Sequence, residues 1–200
     1  MRDGCGSSRK DLSSAMSDSD AVISAATFTS QTADASFRLR SAVHGDEAAV
    51  QALVFGVLRS YGLTPDPELT DADLADLEAA YALQGGRFTV LEAASSGAGQ
   101  NGWQIIGTVG LLPLPGHPTV GELRKMYLHP DWRGRGLGKR LLERALADAP
   151  ELGFQEIVLE TASVLAEAVA LYRRYGFEPL DVLPGHAPAA RCDMVLGRKV

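Results

Sequence analysis

Cysteine is nearly absent from this chain, with two residues in 200, Cys5 and Cys192. Cys5 lies in a segment dominated by Ser, Asp, Ala and Thr, so the pair makes no disulfide framework and a reducing cytoplasm is the simplest setting. Long apolar runs are also missing. No stretch approaches the roughly 20 residues of a membrane span, and the run from Ala21 to Phe28 is too short and too mixed in Ser and Thr for a secretory signal. Neither a membrane partner nor export is expected. Basic residues are the minority, 19 Lys and Arg against 25 Asp and Glu for a net charge of −6. That balance argues against nucleic acid, which needs an extended basic face. The few His and Cys residues have none of the spacings of a metal site, so no metal is expected.

What is present suits one soluble globular unit: 46% hydrophobic and 22% charged residues over 200 positions bury one substantial core but hardly two domains. Residues 1–36 are poor in large apolar side chains and cannot offset the entropy of ordering. They read either as a flexible tail or as an over-extended start with Met16 as the initiator, leaving one domain over 37–200. Phe37 to Arg40 alternates like a strand. From Asp46 to Tyr61, apolar residues at 50, 53, 54, 57 and 58 follow the helical period, and Gly62 ends that helix. Thr70 to Asp73 supplies a cap and acidic first turn for a helix to about Leu83, stopped by Gly85-Gly86. Arg87–Ala93 and Gln104–Leu112 read as a hairpin joined by a flexible loop from Ser95 to Gly102, and Thr119–Leu128 as the next strand. Gly138 to about Leu152 is an amphipathic helix, Ile157–Glu160 a buried strand, Val164–Tyr175 the last long helix and Asp193–Arg198 a final strand, with a further short strand expected near Leu180. The order is that of an α/β layer with a mixed sheet.

The most informative stretch is Arg133-Gly134-Arg135-Gly136-Leu137-Gly138, between a strand-like run ending at Pro130 and the helix that follows. Glycines let the backbone turn tightly and approach a ligand, and the unpaired N–H groups and positive dipole end of the helix face whatever lies there. A phosphate is the natural occupant. The spacing G-x-G-x-x-G fails, because the glycines fall at 134, 136 and 138. The P-loop fails too, because Arg140 follows Lys139 where Ser or Thr must reach magnesium. The pattern R/Q-x-x-G-x-G/A does fit, as Arg133, Gly136 and Gly138. The basic cluster Arg133, Arg135, Lys139 and Arg140 is otherwise an ordinary solvated helix start.

That loop resembles the acyl-CoA pyrophosphate loop of the GNAT superfamily of N-acetyltransferases. Upstream, Glu122-Leu-Arg-Lys-Met-Tyr-Leu-His-Pro130 is similar to the family's central strand, and downstream Ala168, Leu171, Tyr172, Gly176 and Phe177 resemble its second signature. The resemblance covers Phe37 to about the C-terminus. It implies a three-layer α/β fold with a central mixed, splayed sheet flanked by helices, acetyl-CoA as cosubstrate, and a small-molecule or peptide amine as acceptor; a homodimer is compatible with it. Cofactor contacts then fall on Met126, Tyr127 and Leu128, around a splay near Tyr127 and His129, and on Arg133, Gly134, Arg135, Gly136, Leu137, Gly138 and Lys139.

Acetyl transfer to an amine needs a deprotonated nucleophile, stabilisation of an oxyanion and a proton for the departing thiolate. By the resemblance, Glu122 is the base and Tyr172 the acid. Read alone, Glu122 is a strand-end partner for Arg124 or Lys125, and Tyr172 is core. Relatives carry Asn seven positions before the tyrosine; here it is Leu165, which removes a side-chain contact to the pantetheine arm. His186 lies in the last loop, beside the family's acceptor channel, and is a candidate for binding or deprotonating substrate. Cys192 reads as a packed strand cysteine, His129 as a residue shaping the strand exit, and Trp132 as cover for the turn. Asp71, Asp73, Asp76 and Glu78 form either a negative channel wall that draws cationic amines or a solvated helix face. The leading reading is direct acetyl transfer to an amine. Its alternatives are a non-catalytic acyl-CoA-binding regulatory module and a transferase for another acyl group.

Overall fold

The computed structural model describes residues 30–32, 35–94, 102–183 and 191–200. His186, Cys5 and the loop 95–101 lie outside the described residues. Eight strands form one sheet in the order β1-β2-β3-β4-β5-β6-β8-β7. They are β1 Ser30–Thr32, β2 Ala35–Ser41, β3 Arg87–Ala94, β4 Trp103–Leu114, β5 His117–Leu128, β6 Glu156–Thr161, β7 Glu178–Leu180 and β8 Met194–Lys199. Every neighbouring pair is antiparallel except β5 and β6. Only that pair needs a crossover, and α3, Leu137–Glu151, supplies it. Ser30–Thr32 pairs back on β2, ahead of the first strand expected at Phe37.

Helices cover both faces, giving the three layers. On one face α3 and α4, Ala166–Arg174, bury Leu141, Leu142, Ala145 and Tyr172 against Ile157, Leu159 and Phe177. On the other, α1, Glu47–Ser60, turns Val50, Val54 and Leu58 onto Leu74, Leu77, Tyr81 and Val90. The period of α1 in the sequence is thus its buried stripe. Its end is a left-handed turn: Gly62, at φ 73°, donates its N–H to the Arg59 carbonyl, and Leu63 donates to Leu58.

The expected helix from Thr70 to Leu83 is broken into a 3₁₀ turn at Ala72–Leu74, the short α2 at Leu77–Ala80 and a second 3₁₀ turn at Ala82–Gln84. Two aspartates explain this. Asp71 is drawn into the protein by Lys125 and Arg191. Asp76, in extended conformation, accepts the Ala79 N–H at 2.9 Å and so restarts the helix with a fresh cap.

The sheet opens between β5 and β6. β5 and β6 pair only at Val120 with Glu156, Gly121 with Ile157 and Glu122 with Val158, after which they part. The splay therefore starts just after Glu122, ahead of the expected position near Tyr127. Beyond it, β5 continues alone on its β6 side to Leu128. Its register with β4 slips between Thr108 and Gly110, and Lys125 opposite the slip takes a left-handed φ of 51°. Such a conformation costs a non-glycine residue about 1–3 kcal/mol.

Candidate active site

The opening between β5 and β6 leads into a cleft of about 440 Å3. Its floor is β5 at Met126, Tyr127 and Leu128, and its end wall is the glycine loop with the start of α3. Gly136 is the N-cap of α3 and, like Gly134, sits at φ 73°. Glycine adopts that geometry without penalty, which is why the loop can fold back under the helix. The first turn of α3 leaves the N–H groups of Leu137, Gly138 and Lys139 without helical partners, pointing toward the loop. A Cβ placed on Gly138 would meet only Leu171, at 3.9 Å. The site is thus an uncrowded anion cradle with Arg133 and Lys139 at its rim.

Of the residues expected to hold a cofactor, Met126, Tyr127, Leu128, Arg133, Gly134, Gly136, Leu137, Gly138 and Lys139 all line this cleft. Arg135 does not; its guanidinium lies over the Trp132 ring, 4.7 Å from the centroid. Trp132 in turn meets Phe37 edge-on, so it anchors the turn onto the core. Several wall residues carry no sequence signal. Tyr61, at the end of α1, stacks under the Arg133 guanidinium at 5.0 Å and donates to Glu167 at 2.9 Å. Leu165 stands at the N-cap of α4, where it offers no capping hydrogen bond, and its side chain lines the cleft.

The cleft continues into a smaller inner cavity of about 60 Å3, sharing Met126, Tyr127, Leu165 and Ala168 with it. The inner cavity passes through the sheet. Tyr172 reaches it from α4, while Lys125, Glu160, Arg191 and Cys192 come from β5, β6 and the segment entering β8. Tyr172 is 4% exposed and packs on Phe177. Burial, with a contribution from Tyr127, pushes its phenol above the ordinary value, so it is protonated at neutral pH. Burial also raises Tyr127, to about 12, and the Cys192 thiol, to about 11. A thiol held in that form is a packing group rather than a nucleophile. His129 accepts the Asp131 N–H at 3.3 Å, a turn-forming role at the strand exit.

Glu122 is 6% exposed and lies 3.6 Å from Arg124, on the α1 side of the sheet. It does not line the inner cavity. From it runs a chain of alternating charge: Arg124 to Asp73 at 3.9 Å, Asp73 to Lys125 at 3.3 Å, Lys125 to Asp71 at 2.6 Å and Asp71 to Arg191 at 2.5 Å. The Tyr81 hydroxyl donates to Asp73 at 2.6 Å. Of the acidic residues around α2, Asp71 and Asp73 are paired with internal cations, Asp76 caps the helix and Glu78 is exposed.

Among the described residues no group of three or more His, Cys, Asp or Glu is placed to hold a metal ion, and no helix is long and apolar enough to cross a membrane.

Comparison with known proteins agrees with this geometry. Residues 57–177 match the sequence profile of the acetyltransferase (GNAT) family. The chain is 35% identical over 158 residues to the uncharacterised N-acetyltransferase YjgM of Escherichia coli K12, spanning 78% of this chain and 90% of that protein. It is 32% identical over 111 residues to human N-acetyltransferase 8B, and there covers only 45% of the relative's length. In three dimensions it resembles a GNAT-family acetyltransferase of Staphylococcus aureus Mu50, with a TM-score of 0.71 at 20% identity over 82% of this chain and 98% of that one. It also resembles an acetyltransferase of Salmonella typhimurium solved with its cofactor acetyl-CoA, with a TM-score of 0.60 at 24% identity over 82% and 93% of the two chains. The chain belongs to the GNAT family of acetyltransferases.

Proposed function

We propose that the protein is an acetyl-CoA-dependent N-acetyltransferase of the cytoplasm that passes the acetyl group directly to an amine. The observation that carries this reading is the continuity of the two cavities: an anion cradle at one end, an unpaired strand edge along the floor, and a buried, protonated phenol in the wall of the inner cavity.

The residues fit the cosubstrate. The first-turn N–H groups of α3 and the rim cations suit a pyrophosphate, and Gly138 leaves room for it. The backbone of Met126 to Leu128 has no ladder partner on the β6 side and can pair with the amides of an extended arm. When bound, acetyl-CoA supplies an acyl group already activated as a thioester. Tyr172, protonated and in the wall of the inner cavity, would give the leaving sulfur its proton. Glu122 is the proposed base. It lies outside the cavity wall, so the acceptor's proton reaches it through a water relay on the α1 side of the sheet.

The test is a screen of amines with acetyl-CoA that reads released thiol, with mass spectrometry of the product. Thiol release that depends on an amine, with acetate found on nitrogen, is expected. CoA binding without release from any amine points instead to a regulatory module, and preference for a longer thioester to another acyl group.

A further inference from the structure

Two short segments flank both cavities. At the close of α1, Tyr61 lines the cleft and Leu63 the inner cavity; at the start of α4, Glu167 lines the cleft while Leu165 and Ala168 line both. α1 and α4 bury their apolar stripes in separate clusters, one on each face of the sheet. Their ends nevertheless touch. The Tyr61 hydroxyl donates to Glu167 Oε2 at 2.9 Å, so a side-chain hydrogen bond joins the two faces across the opening where β5 and β6 part. Glu167 is exposed and Tyr61 half-buried, which puts this bond at the mouth of the cleft rather than on its β5 floor.

The backbone on either side of the bond is fixed, and only the two side chains need turn to break it. Tyr61 is the C-cap of α1, with its N–H on the Leu58 carbonyl at 3.0 Å. The start of α4 is set by Leu165 donating to Ala162 at 2.9 Å and Val169 donating to Leu165 at 3.1 Å. Exposed side chains change rotamer far faster than packed helices move, so the contact opens and recloses without rearranging the fold. Burial, and next the Glu167 carboxylate, hold the Tyr61 phenol above its ordinary value, and it remains the donor at neutral pH. The face of the same ring lies under the Arg133 guanidinium, 5.0 Å from the centroid. One tyrosine thus ties a rim cation of the cradle to α4.

We propose that Tyr61 and Glu167 are positioning residues that form a clasp, closing the mouth of the cleft over the cosubstrate's arm and slowing its departure. The proposal rests on the transferase reading above, in which that arm pairs with Met126 to Leu128 of β5. An arm so placed runs past the clasp on its way from the cradle to Tyr172, and it leaves when the hydroxyl lets go of the carboxylate. A bond this exposed adds little to the stability of the fold, so its effect falls on ligand dissociation.

The experiment measures CoA dissociation by stopped flow and CoA affinity by calorimetry in the full chain, in Tyr61→Phe, Glu167→Ala and Glu167→Gln, and in the double variant Tyr61→Phe with Glu167→Ala. Adenosine 3′,5′-bisphosphate, which lacks the arm, is the second probe. Tyr61→Phe keeps the ring under Arg133 and loses only the hydroxyl. CoA should leave it at least about fivefold faster, with affinity for the bisphosphate within about twofold of the original. Glu167→Ala should match it, the double variant should be no worse than either alone, and Glu167→Gln, whose carbonyl still accepts, should restore much of the loss. Unchanged CoA dissociation in Tyr61→Phe overturns the clasp, as do additive effects in the double variant. Equal weakening of both probes does so too, because it marks a defect of the cradle or of the fold. Tighter CoA binding in Glu167→Ala and Glu167→Gln alike makes the carboxylate a repulsive charge and also sinks the proposal. If the unaltered protein binds no CoA, the transferase reading falls and the clasp falls with it.

Discussion

Replacing Asp71 by Asn separates two roles for the acidic segment before β3. The Asp71 side chain is fully buried. It accepts from Lys125 at 2.6 Å, from Arg191 at 2.8 and 2.5 Å and from the Asp66 N–H at 2.9 Å. Burial alone would raise its carboxyl, but these donors outweigh that and hold it at about 2. Asn keeps the shape and one acceptor oxygen but removes the charge, leaving two mostly buried cations with only the more distant Asp73. Breaking one side of such a cluster costs about 3–5 kcal/mol. At about 2–4 °C per kcal/mol for a chain of this size, melting should fall by roughly 6–20 °C in scanning calorimetry. Linkage gives a second reading. A carboxyl held at about 2 rather than its ordinary 3.8 stabilises the fold above the ordinary carboxylate range, and that contribution is lost as pH falls through about 2. The unaltered protein should therefore lose stability between about pH 4 and 2 more steeply than the variant. An Asp71→Asn protein that melts within about 2 °C of the original, yet shows a raised KM for cationic amines, refutes this reasoning and restores the acidic segment as a substrate lure.

Gly138→Asp should fold, because its Cβ meets only Leu171 at 3.9 Å and an acid in a helix's first turn is favourable. CoA affinity in calorimetry should nonetheless weaken by at least about 2 kcal/mol, more than tenfold; unchanged affinity removes the cradle from the site. Glu122→Gln should lower kcat roughly a hundredfold with little change in CoA affinity, whereas a loss confined to melting temperature would make Glu122 only a partner for Arg124. Tyr172→Phe should depress turnover more than binding. Because burial raises that phenol, the unaltered enzyme should show no alkaline limb from it between about pH 8 and 10, and a limb there that vanishes in Tyr172→Phe would contradict the burial.

The cradle was legible because its physics is local. Glycine at 134 and 136 is demanded by a backbone angle, and the helix that follows supplies its own partial charge, so three spacings in one short stretch suffice. Tyr61 and Glu167 were not legible. They reach the cleft from helices 106 positions apart in sequence, and nothing in either helix's own pattern distinguishes them from surface residues. The helix expected from Thr70 failed for a related reason. Its acidic start looked like a cap and a favourable dipole, but Arg191, 120 residues away, claims Asp71. No local propensity contains that partner.

The second local rule broken in this region is the left-handed backbone at Lys125, and both departures have one cause. The β5 bulge turns the Lys125 ammonium to within 2.6 Å of Asp71. The same Asp71 interrupts the helix and ties the segment entering β8 to the sheet through Arg191. A strain of about 1–3 kcal/mol at Lys125 is comparable to what one good buried charged hydrogen bond returns, so the bulge is stable only while the Asp71 cluster is complete. The cluster in turn fixes two walls of the inner cavity, from β5 and the segment entering β8. Local regularity was given up at the two places where the chain had to bring those walls together, and no local propensity in the sequence contains that requirement.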